Sequence, residues 1–167
     1  MNSTAEKAEY VYVTYINSTA EKVFSAITEP KFTEQYWSHH HNASDWKVGS
    51  RWQHQDAKDS SLVDVVGKVL ENSRPNRLVI SWASPRFEAD PLQYSRVTFD
   101  IVEDKGLVRL TVTHAELETG STMLKSISGG WPIVLSGLKT LLESGTPLPT
   151  INERKDGKWS NVRFDNM

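Results

Sequence analysis

Two hydrophobic periods divide this chain. From Gly120 to Gly145 apolar residues recur in steps of three and four, at Met123/Leu124, Ile127, Trp131, Val134/Leu135, Leu138 and Leu141/Leu142. That spacing keeps them on one stripe of a long helix. Ser121 or Thr122 can cap its start, and Gly145 with Pro147 and Pro149 behind it ends it. Gly129-Gly130 and Pro132 interrupt the stripe. Because Pro132 cannot donate a backbone bond to the preceding turn, the spacing predicts a kink or a fresh start there.

Most of the upstream chain alternates with a period of two. Tyr10 to Ile16, Trp46 to His54, Val63 to Leu70, Arg77 to Trp82, Tyr94 to Val102 and Leu107 to His114 read as strands, rich in β-branched and aromatic residues. The last two form a hairpin through Glu103-Asp104-Lys105-Gly106. Two short helices follow the first strand, one from Ala20 to Thr28 and one started by Pro30 over Phe32, Tyr36 and Trp37. His39 to Ser44, Gln55 to Ser61 and Ser84 to Pro91 read as polar connections.

Strands grouped together with helices segregated at the ends argue for an α+β domain. A twisted antiparallel sheet of five or six short strands curls around the one long helix. Parity places Trp52 and His54 on the inner wall with Trp46 and Val48, and likewise Val63, Val65, Gly67 and Val69. Leu78, Ile80 and Trp82 join them, as do Val97, Phe99 and Ile101, and then Val108, Leu110, Val112 and His114. Trp52, Trp82 and Phe99 therefore oppose the helical stripe of Trp131, Leu135 and Leu138. A strongly curved sheet would be held off the helix by these rings and leave a cavity; a flatter one would let the rings fill the gap.

Composition narrows the classes. A chain of 167 residues suits one domain, with its core over about 10–145 and a polar tail over 146–167. With 19 basic against 21 acidic residues and no basic block, nucleic acid and membrane surfaces have no electrostatic footprint to bind. No apolar run approaches the roughly 18 residues of a membrane span, and MNSTAEKAEY is too polar for a signal peptide. The absence of cysteine removes disulfides, thiolate metal sites and cysteine nucleophiles, and fits a cytoplasmic protein. NSTAEK occurs twice, at Asn2–Lys7 and Asn17–Lys22; only the second copy opens a helix, with Ser18 or Thr19 as its cap. Tyr10, Tyr12 and Tyr15 on the first strand could pair across a symmetry axis, so the chain reads as a monomer or a homodimer.

Candidate chemistry is sparse. His39-His40-His41 is the most conspicuous polar cluster, but three consecutive residues of a loop seldom converge on one metal. It reads as a solvated loop at the cavity mouth. His54 and His114 point inward at strand ends, where an imidazole can orient a ligand's carbonyl or hydroxyl, serve as acid and base, or be a core histidine satisfied by a backbone carbonyl. Asp56, Asp59 and Asp64 have no evident partner, and no nucleophile, phosphate-loop or metalloprotease motif is present. No catalytic residue, metal site or cofactor is assigned. The ligand-binding set expected on these grounds is Trp52, His54, Trp82, Phe99, His114, Trp131, Leu135 and Leu138.

The stretch Thr19 to Pro30 (TAEKVFSAITEP), then Tyr36-Trp37, then Ser44 to Ser50 (SDWKVGS), resembles the opening of the START-like, birch-pollen-allergen-like superfamily. More narrowly it is similar to the branch of homologues of the activator of heat-shock-protein-90 ATPase. Gly67 to Glu71, Arg77-Leu78, Val108 to His114, Gly129 to Pro132 and Leu138 to Gly145 agree, so the likeness covers about Tyr10 to Gly145. It implies a helix-grip fold, a curved antiparallel sheet wrapped around a long C-terminal helix with a cavity between. It further implies one of three roles: a carrier of small hydrophobic molecules, a chaperone cofactor, or a polyketide cyclase or dehydratase.

Overall fold

In the computed structural model, residues 6–149 and the segments 152–155 and 158–161 are described; of the first NSTAEK copy only Glu6 and Lys7 are among them, and the remainder of the tail lies outside the described residues. Strand β1 (Lys7–Asn17) leads into α1 (Ala20–Thr28), which is capped by the Thr19 side chain accepting from the Lys22 N–H. Val23, Phe24 and Ile27 form its buried face. Glu29 ends α1 in extended conformation, and Pro30 opens α2 (Pro30–Tyr36), a position where the missing N–H costs nothing.

Five strands follow the short β2 (His40–Ala43): β3 (Arg51–Asp56), β4 (Val63–Ser73), β5 (Arg77–Trp82), β6 (Ser95–Asp104) and β7 (Leu107–Glu118). Two single 3₁₀ turns, Pro85–Phe87 and Pro91–Gln93, bridge β5 to β6. All seven strands form one curved antiparallel sheet in the order β1-β7-β6-β5-β4-β3-β2. The β6–β7 hairpin turns on Lys105-Gly106, both at positive φ, the backbone that matches the twist of its strands. Beyond the core, Asn152–Lys155 (β8) and Lys158–Asn161 (β9) pair as a separate ladder.

Helix α3 (Thr122–Ser144) lies against the concave face. Ser121 accepts from the Leu124 N–H at its start and Gly145, at φ +78°, closes it. No fresh start forms at Pro132; a single 23-residue helix runs through it. The bond Pro132 cannot make is one lost to the Ser128 carbonyl. It is outweighed by buried side chains on both sides of it, Ile127 and Trp131 before, Val134, Leu135, Leu138 and Leu141 after.

Three further expectations are corrected. The strand expected from Trp46 begins only at Arg51, because Trp46 (φ +62°) and Gly49 (φ +90°) turn the chain, and Val48 is exposed. The connection expected from His39 is a strand from His40. On β1, Tyr10 and Tyr12 pack on the flank of the core, and the exposed set is Val11, Val13 and Tyr15, on a strand at the edge of the sheet.

Gly67 explains how Trp52 is seated. A Cβ on Gly67 would land on the Ser81 carbonyl oxygen and against the Trp52 indole. Without one, the indole crosses β4 and its Nε1–H reaches that carbonyl at 2.8 Å. Trp52 is completely buried beneath Trp82, ring centroids 5.5 Å apart.

Candidate functional site

The sheet and α3 meet differently along the helix. Beside its second half the space is filled: Leu135, Leu138 and Leu141 join Phe99, Leu110 and Val112 in one continuous core. Beside its first half lies a cavity of about 870 Å³. Gly129, Gly130, Trp131 and Val134 of α3 form one wall; Val65 and Trp82 of the sheet form another; Ser84 to Tyr94 and Glu116 to Glu118 supply rim residues. Both sequence alternatives, a gap and a filled core, are thus realised at opposite ends of one helix.

Of the eight residues singled out from sequence, His54, Trp82 and Trp131 line the cavity. Trp52, Phe99, His114, Leu135 and Leu138 do not; they pack beneath it or in the filled half. Trp37 lines it too, its ring centroid 5.6 Å from that of Trp131 and 4.9 Å from that of His54. Sequence pattern placed Trp37 only as the end of a short helix, and its inward turn comes from the αL residues Ser38 and His39 that reverse the chain behind it. Trp131 is met by four aromatic neighbours, Trp37, Trp82, Phe99 and His114, at centroid separations of 5.6 to 6.1 Å.

His114 is completely buried behind this wall and its hydrogen bonds fix its tautomer. The Trp131 indole can only donate, and its Nε1 lies 3.1 Å from His114 Nδ1, which therefore accepts. The proton sits on Nε2, 2.7 Å from Ser95 Oγ, and that hydroxyl donates in turn to the Trp82 carbonyl at 3.2 Å. Both His114 ring nitrogens, the Trp131 indole N–H and the Ser95 hydroxyl are thus all used. Burial lowers the His114 pKa to about 4, so the ring is neutral.

His54 sits in a second buried polar group. Strand β2 alternates, so His40 and Asn42 turn inward while His41 turns out to Glu34 and Gln55, each at 3.1 Å. The histidine triplet is therefore no solvated loop: His40 has no exposed surface and stacks on His54, centroids 4.8 Å apart and planes 20° from parallel. His40 Nδ1 faces the Ser38 carbonyl at 2.8 Å and Nε2 lies 2.7 Å from Asp64 Oδ2. Asp64 thus has a partner, against expectation. The ladder pairs His54 with Val65 but Gln55 with Val63, which makes Asp64 the extra residue of a β-bulge. A bulge re-aims a side chain that strict alternation would turn outward, and no residue pattern announced it. Burial, then the neighbouring His40, lowers the His54 pKa to about 3.

A curved antiparallel sheet gripping one long helix over an aromatic cavity defines the helix-grip class of α+β proteins. The chain belongs to the family of activator of Hsp90 ATPase homolog 1-like proteins, whose profile matches residues 17–143. Among solved structures it is similar to an HSP90 activator from Plasmodium falciparum (18% identity, 80% of this chain and 95% of that one, TM-score 0.67). It is also similar to the Aha1 dimer from Colwellia psychrerythraea (17%, 83% and 98%, TM-score 0.65) and to CalU16 from Micromonospora echinospora (21%, 85% and 87%, TM-score 0.62). At these identities the likeness is one of fold. No functionally curated protein matches the sequence. Among the described residues no helix is long and apolar enough to cross a membrane.

Proposed function

We propose that the protein binds a small, largely hydrophobic, aromatic ligand in the cavity beside the first half of α3. The observation that carries this reading is the cavity itself: about 870 Å³, walled by Trp37, Trp82, Trp131, Val65 and Ile127, with His54 as a buried polar handle. That size, and an aromatic wall with a buried polar group set in it, suit a small-molecule site. The test is native mass spectrometry on protein purified gently from its own cells, beside Ile133→Trp, which puts a ring into the cavity from a half-buried helix position. An adduct that solvent extraction removes, and that Ile133→Trp lacks, is expected. Equal adducts in both proteins would place the ligand elsewhere, and an absence of any ligand-dependent mass would turn attention to proteins that co-purify.

The family match supports a second reading, a chaperone cofactor, because a relative of this fold is described as an HSP90 activator. It predicts a faster ATPase of the host's own Hsp90 on addition of this chain, and an unchanged rate disposes of it. One similar structure is a dimer, and the exposed edge strand β1 is where a second copy would add here. A cyclase or dehydratase reading would have to rest on His54, since both nitrogens of His114 are already committed.

A further inference from the structure

The polar handle of the cavity has a fixed hydrogen-bonding sense. Asn42 Nδ2 lies 3.0 Å from the Ile27 carbonyl, and only the amide nitrogen can face a carbonyl oxygen. Its Oδ1 therefore faces His54 Nδ1, at 2.8 Å, and can only accept. The His54 proton is on Nδ1. In a neutral ring that leaves Nε2 bare, with no hydrogen bond to any of the described residues, on a side chain that is 6% exposed and lines the cavity. Asp64, the next polar group on this wall, contributes carboxylate oxygens already turned towards His40. The Ser95 hydroxyl has spent its proton on the Trp82 carbonyl. This corner offers acceptors, and a ligand carbonyl, ether or carboxylate placed on it would meet lone pairs.

We propose that the cavity selects neutral aromatic ligands bearing a hydrogen-bond donor, a phenolic hydroxyl or a ring N–H, and receives that donor on His54 Nε2. The proposal rests on reading the cavity as a ligand site and names the class that fits it. Trp37, 4.9 Å from His54, and Trp131 beyond it supply faces and edges for the ligand's ring system. His54 is the specificity-determining residue. Asn42 is a positioning residue: it acts by holding the tautomer.

The experiment is a fluorescence titration of the full chain with pyrenol and with its methyl ether, which match in shape and ring system and differ in the donor. Wild type is expected to bind pyrenol about tenfold more tightly, the ether leaving a buried acceptor unsatisfied. His54→Phe keeps a ring in place and is expected to bind the two equally, and Asn42→Leu, which releases the tautomer, to narrow the ratio. Equal binding by wild type, or a preference that survives in His54→Phe, overturns the donor assignment and leaves the cavity reading intact. Failure of wild type to bind either pyrene overturns the cavity reading and the proposal with it. A long-range proton–nitrogen correlation spectrum of wild type tests the tautomer without any variant. A protonated Nδ1 and a pyridine-like Nε2 that shifts with pyrenol alone are expected; a protonated Nε2 overturns the proposal.

Discussion

Two histidines enter the concave face from well-separated strands of the same sheet, His54 from β3 and His114 from β7, and they are not alike. His114 accepts from Trp131 and donates to Ser95, so its bonding is complete within the protein. His54 is held by one nitrogen, through Asn42, and brings the other to a cavity. Both are buried, both are neutral, and sequence parity made them equivalent. What separates a core polar network from a binding group is the number of hydrogen bonds left over once the fold has been satisfied.

The largest expected effect breaks the closed network. His114→Leu strands the Trp131 indole N–H and leaves Ser95 without its second bond, and should cost about 3 kcal/mol of stability, read from the urea midpoint. His54→Phe strands only Asn42 Oδ1 and should cost about 1 kcal/mol on the same scale. A His54 variant as damaging as the His114 one would erase the distinction. Acid sharpens it differently. Both rings have native pKa values below the ordinary 6.5, to about 3 for His54 and about 4 for His114, so the unfolded chain binds protons that the folded chain refuses. The stability this represents is complete above pH 6.5 and is lost as pH falls, towards about 4 for His114 and towards about 3 for His54. Each histidine contributes a slope on the order of 1 kcal/mol per pH unit in that window. Either substitution should flatten the stability–pH curve by about that amount between pH 4 and 6.5, measured by urea titration at each pH.

The same contrast shows how far residue pattern reaches. The α+β order, the long helix and the inward set Trp52, Trp82, Phe99 and Trp131 follow from periods of two and 3.6, because those periods are imposed by burying one face. The branch resemblance and the helix-grip fold agree with the family match and the curved sheet. The cavity's position was not legible: whether large rings prop a sheet off a helix or fill the gap depends on its curvature, and here both happen along α3. Trp37 was lost because its direction is set by two αL residues, Ser38 and His39, neither of them glycine. Asp64 was lost because one inserted residue in β4 reverses its parity. His114 found its partners in a serine and an indole, where parity had left open a ligand group, acid–base chemistry or a backbone carbonyl.

The smallest expected effect lies one residue from a large one, and it tests the strand that carries His54's neighbours. If β2 is paired with β3 so that His40 and Asn42 face inward, His41 must face outward, and its contacts with Glu34 and Gln55 are partly exposed to water, where polar pairs contribute little. His41→Ala should therefore change the urea midpoint by no more than about 0.5 kcal/mol. His40→Ala removes a completely buried ring from between Asp64 and His54, and about 2 kcal/mol is expected for leaving that carboxylate without its partner. The two substitutions are chemically identical and adjacent, so only the two-residue period of the strand distinguishes them. Equal losses would mean that β2 does not present the face described, and the tautomer of His54, which hangs from Asn42 on the same strand, would lose its support.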